Sequence, residues 1–75
     1  MERYRNIDGD SGVSAYEIGM DFIHVQFSTG ATYLYTYSSA GLENIEQMKI
    51  LARKGDGLNS FIRTTVRKLY ARKER

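Results

Sequence analysis

No cysteine occurs among the 75 residues, which excludes disulfides and thiolate metal sites and leaves stability to the packing of aromatic and aliphatic side chains. No apolar run approaches the roughly 20 residues of a membrane span, and Met1-Glu2-Arg3-Tyr4-Arg5 leads into no apolar segment of the signal-peptide kind. The expectation is a cytoplasmic protein without a membrane partner. Histidine occurs once, as His24; a base, nucleophile or ligand there needs partners from elsewhere in the fold, and its strand face offers Phe22 and Gln26. Ser14, Ser28 and Ser60 have no triad spacing, and Gly55-Asp56-Gly57 is too short to cradle a phosphate. Asp8-Gly9-Asp10-Ser11-Gly12 lacks the regular ligand ladder and closing glutamate of a calcium loop and reads as linker. The composition therefore points away from catalysis, cofactors and metals.

Aromatic and β-branched residues are concentrated in Phe22 to Tyr37, FIHVQFSTGATYLYTY. Ser28-Thr29-Gly30 reads as a three-residue hairpin loop whose third position wants positive φ, where glycine has no Cβ penalty. That loop pairs Phe27 with Ala31, Val25 with Tyr33 and Ile23 with Tyr35, so these six share one face. Phe22, His24, Gln26, Thr32, Leu34 and Thr36 take the other. The first face is the better core, with Tyr33 and Tyr35 anchoring the sheet and their hydroxyls at the rim.

Upstream, residues 1–12 read as a flexible arm, and Val13 to Met20 as a strand with Val13, Ala15, Glu17 and Gly19 on one face and Ser14, Tyr16, Ile18 and Met20 on the other. The tight turn at Gly19 to Asp21 calls for unusual backbone conformations at Gly19 and Asp21. Downstream, Ser38-Ser39 offers N-cap hydroxyls to a helix with Leu42, Ile45, Met48, Leu51 and Ala52 along one stripe and Gly55 as its C′ residue. Asp56 is placed to cap a second helix with Leu58, Phe61, Ile62, Thr65, Val66, Leu69 and Tyr70 inward and Asn59, Ser60, Arg63, Thr64, Arg67, Lys68 and Ala71 outward. The fold class is α+β: a three-stranded antiparallel meander followed by two helices on one face, βββαα. Residues 13–72 make the single domain and residues 73–75 a basic tail. A chain of this size buries only about 60% of the surface its unfolded form exposes, so its margin is thin.

Charge is unevenly placed. Residues 1–48 hold two basic against seven acidic side chains, or −5, and residues 49–75 hold nine against two, or +7. Basic residues often do no more than solvate the outer face of a terminal helix, yet an imbalance of this kind also suits a polyanion. The candidates for contacting nucleic-acid phosphates are Arg63, Arg67, Lys68, Arg72 and Lys73, with Tyr37 available to stack on an unpaired base. The alternative is a protein-interaction module using the open sheet face or an edge strand, in a monomer or weak homodimer.

Several short patterns, in this order and spacing, resemble the KTSC domain, named after a C-terminal segment of some lysyl-tRNA synthetases. Tyr33-Leu34-Tyr35 after the glycine turn is similar to that family's Y-x-Y, Ile18-Gly19-Met20-Asp21 to its I-G-Y-D, and Lys54-Gly55 followed by Asn59-Ser60-Phe61-Ile62-Arg63 to its K-G break and N-x-x-I-R helix. The likeness runs from Ser14 to about Tyr70. Two positions depart from the pattern: Ser39 stands where the family usually has proline, and Gly57 where it has an aromatic. The resemblance marks Tyr33, Tyr35, Asn59, Ile62 and Arg63 as motif residues, implies no catalytic residue, and implies a domain of unknown function for which RNA binding is suggested by its fusion to a synthetase.

Overall fold

The computed structural model describes residues 1–7 and 12–74. Five antiparallel strands lie in chain order across one sheet: β1 Glu2–Arg3, β2 Val13–Ile18, β3 Phe22–Phe27, β4 Thr32–Thr36 and β5 Arg72–Lys73. Between β4 and β5 come three helices, α1 Tyr37–Ala40, α2 Leu42–Lys54 and α3 Leu58–Phe61, the last running into a π-helical segment, Ile62–Val66. The α+β class with an antiparallel sheet is as expected. The count of strands is not, because both ends of the chain join the sheet.

The central hairpin has the expected register, with Val25 opposite Tyr33 and Ile23 opposite Tyr35. Gly30 sits at φ 96°, and the amide of Phe27 donates to the carbonyl of Ala31. Ile23, Val25 and Tyr35 are buried, and the core continues into Ile45, Met48 and Ala52 of α2, then Leu58, Ile62 and Val66. The helices therefore lie on the face that the three-residue loop selects.

Four local expectations change. Val13 and Tyr16 are both buried although an unbroken strand would point them to opposite faces; a bulge between Val13 and Ala15 supplies the missing half-period. At the β2–β3 turn neither Gly19 nor Asp21 has positive φ. A Cβ on Gly19 would stand 2.0 Å from the ring of Phe22, so a larger residue there needs that ring to move. The first helical cap is Thr36 rather than Ser38-Ser39: the Ser39 amide donates to the Thr36 hydroxyl and the Thr36 amide to the Ser39 hydroxyl, a reciprocal box. The chain then breaks at Gly41 before α2 begins, and Leu42 is exposed.

The fourth change is the largest. The second helix ends near Val66, and Thr65, Leu69 and Ala71 are exposed. Helical periodicity continues to Tyr70 in the sequence, but the amides of Ala71 and Glu74 donate to the carbonyls of Leu34 and Thr32, so the segment is drawn out as β5. Pairing there covers the open backbone edge of β4, which a longer helix would leave exposed. Lys73, assigned to a basic tail, is thereby a strand residue.

The N-terminal residues are likewise no loose arm, at least from Glu2 to Ile7. Glu2 and Arg3 pair with Tyr16 and Ala15, and Tyr4 is buried. The Arg5 guanidinium donates to the carbonyls of Arg53 and Lys54 at the end of α2, and the Ile7 amide donates to Gly55. These are the orphan carbonyls of a helix C-terminus. The α3 N-terminus is served in the same way: the Leu58 amide donates to the Tyr4 hydroxyl at 3.2 Å, while Asp56 makes no side-chain cap. The Asp8-to-Ser11 portion of the linker, and Arg75 of the tail, lie outside the described residues.

Candidate functional site

The site is a groove of about 440 Å³ between the β3–β4 hairpin and the wall formed by α3, the π segment and the residues after it. Phe27, Tyr33 and Tyr35 contribute from the hairpin, Asn59, Ile62 and Arg63 from the wall, and Arg67, Lys68 and Tyr70 from the turn that follows. The rings form one cluster, Phe27 edge-on to Tyr33 at 5.7 Å and Tyr33 edge-on to Tyr70 at 4.8 Å. Tyr33, Tyr35, Asn59, Ile62 and Arg63 thus line one groove, and two further basic residues, Arg67 and Lys68, join them there.

Three cations meet there because Arg63 lies within the π segment and Arg67 and Lys68 in the turn directly after it, and all three line the groove. All three are exposed. No carboxylate among the described residues pairs with any of them. Lys73 stands nearby, its ammonium 5.8 Å from the centre of the Tyr33 ring.

Two expected contact residues are placed elsewhere. Tyr37 donates its hydroxyl to the Glu46 carboxylate, a bond that holds the phenol above the usual tyrosine range. The Lys49 ammonium lies 5.5 Å from the centre of the same ring and is itself buried, donating to the Met20 carbonyl and pairing with Glu46, both at 2.8 Å. Arg72 pairs across from Leu34 and so takes the sheet face of His24, away from the groove, with its guanidinium on Glu74 at 3.0 Å. Tyr70, expected in the helix core, lines the groove instead. The signal for it was an aromatic beside the basic run, hidden by its fit to the helical stripe.

His24 also has a partner that its neighbours in sequence do not reveal. Its Nε2 is 2.9 Å from Glu74 Oε1, brought fifty residues along the chain by the β4–β5 pairing. Burial raises the Glu74 carboxyl, but the hydrogen bond from Arg72 and the proximity of His24 outweigh it and hold the group below its ordinary value. A carboxyl lowered in the folded state contributes stability above its unfolded pKa of about 4.3, lost as pH falls through the folded value. Acidification below about pH 4 should therefore loosen β5 before the core, read as faster exchange of the Ala71 and Glu74 amides. Glu74→Gln should remove that step, and amides that exchange identically in both proteins across the range would rule out the clasp.

Among the described residues no three His, Asp or Glu side chains are grouped to hold a metal ion, and no helix is long and apolar enough to cross a membrane. Both outer strands are two residues long, so the sheet offers little edge for backbone pairing with a partner. No family model matches the chain, and no similar curated protein or solved structure is found.

Proposed function

We propose that the chain is a non-catalytic, KTSC-like domain that binds nucleic acid, RNA in the first instance, through the groove described above. The observation that carries this reading is the placing of Arg63, Arg67 and Lys68, exposed and without carboxylate partners among the described residues, on one wall of an aromatic-lined groove. Solvating charges alone would have no need to converge on a concave aromatic surface. Guanidinium and ammonium groups facing a polyanion release its condensed counterions, so binding should be steeply salt-dependent.

Arg63→Ala combined with Arg67→Ala should flatten the slope of log affinity against log salt by about 1.4, at about 0.7 per lost contact with a single strand. Sequence preference should stay as it was, because phosphate contacts carry none. Both residues are exposed, so the melting temperature should move little. A large drop in melting temperature would instead make Arg63 a brace of the helix junction. Failure of the wild-type chain to bind any nucleic acid at low salt would transfer the reading to a protein partner on the open sheet face, where Phe22, His24 and Leu34 remain half-exposed.

A further inference from the structure

Within the groove the ring most open to solvent is Tyr70, 38% exposed. Its contacts with Tyr33 and Tyr35 are edge-to-face, at 65° and 88°, and among the described residues no ring lies parallel over it. A partly exposed aromatic ring that shares the groove with Lys68 and Arg67 is the pairing of groups that a nucleotide presents in reverse: a flat base and, one sugar away, an anion. Asn59, on α3 of the same wall, adds a half-buried amide with no side-chain hydrogen bond to any described residue. An amide offers both a donor and an acceptor, which is what a base edge requires. The groove volume of about 440 Å³ falls in the range of about 300 to 1,000 Å³ of clefts that hold small ligands. A duplex fits poorly here, since its bases are stacked and paired and turn no face outward.

Resting on the nucleic-acid reading above, we infer that the groove seats one unstacked nucleotide of a single strand. The base lies on Tyr70 with its edge toward Asn59, and the adjoining phosphates meet Arg63, Arg67 and Lys68. Recognition is then of a single strand with a base preference at one position, and not of polyanions at large.

The test measures binding of the full chain to labelled single-stranded RNA of roughly ten nucleotides, to a duplex of the same length, and to inorganic polyphosphate. Tyr70→Ala should weaken single-strand binding roughly 5- to 150-fold, the loss of one base–ring stack, and leave both the salt slope and polyphosphate binding unchanged. Tyr70→Leu, which keeps apolar cover over Tyr33 and Tyr35, should lose as much, and Tyr70→Phe should bind as the wild type. Asn59→Ala should narrow the differences among homopolymers of the four bases. Equal affinity for single strand, duplex and polyphosphate, or an unchanged single-strand affinity in both Tyr70→Ala and Tyr70→Leu, would overturn the nucleotide seat while leaving the electrostatic reading standing. Absence of binding to all three at low salt would overturn that reading and the seat with it.

Discussion

Tyr35→Ala is expected to unfold the domain or bring it close to unfolding. The ring is 1% exposed, the largest of the fully buried side chains, and sits where β4 meets both the α2 core and the groove cluster. Truncating a buried aromatic to alanine costs about 3 to 5 kcal/mol, against a total stability of about 5 to 15 kcal/mol for a domain and the lower end for one this small. Tyr35→Phe keeps the ring and should stay folded, with a distinct signature in alkali. Burial first, and then the neighbouring Tyr33 and Tyr70 phenols, push the Tyr35 hydroxyl up to about 12. A group raised in the folded state contributes stability below its unfolded pKa of about 10 that is lost as pH rises toward the folded value. Wild-type stability should thus decline between about pH 10 and 12, and Tyr35→Phe should soften the decline. Chemical denaturation across that range checks both, and a Tyr35→Ala protein as stable as the wild type would refute the burial of the ring.

The hairpin was legible because local chemistry and the global fold agree there. A glycine able to take φ 96° at the third loop position sets the register, and the register sets which face is buried. Gly55 could be read for the same reason, since a left-handed residue after the last helical turn is a local requirement of the cap. What could not be read depends on partners remote in sequence. Nothing near Ala71 signals that its amide will meet Leu34, so the helical stripe through Thr65 and Leu69 extends too far on periodicity alone. The bulge at Ser14 likewise leaves only an irregular alternation behind.

The candidate site was half legible for the same physical reason. Basic residues announce themselves by composition, but which of them share a surface depends on where the helix stops and how it is wound. Arg72 and Lys68 look equivalent in the sequence; β5 sends Arg72 to the His24 face, and the turn after the π segment leaves Lys68 in the groove with Arg63. Tyr37 and Tyr70 exchange roles likewise, one tied to Glu46 and the other open in the groove.

Tyr4→Ala should cost more than Tyr35→Ala, at a position with no periodic signal to mark it. Its ring is 3% exposed in the core cluster, so truncation carries the same cost of about 3 to 5 kcal/mol. A second cost adds to this. The Leu58 amide donates to the Tyr4 hydroxyl, and Leu58 is 0% exposed, so removing the hydroxyl strands a buried donor at the start of α3, at about 1 to 3 kcal/mol. Tyr4→Phe isolates that second cost. The position also governs the groove, because α3 carries Asn59 and leads into the π segment that carries Arg63. Tyr4→Phe should therefore remain folded, lose about 1 to 3 kcal/mol in urea unfolding, and show faster exchange of the Leu58 amide while the β3–β4 amides stay protected. If Tyr4→Ala unfolds at the same urea concentration as the wild type, residues 2–7 are not part of the domain, and the groove wall must be held by α2 and the sheet alone.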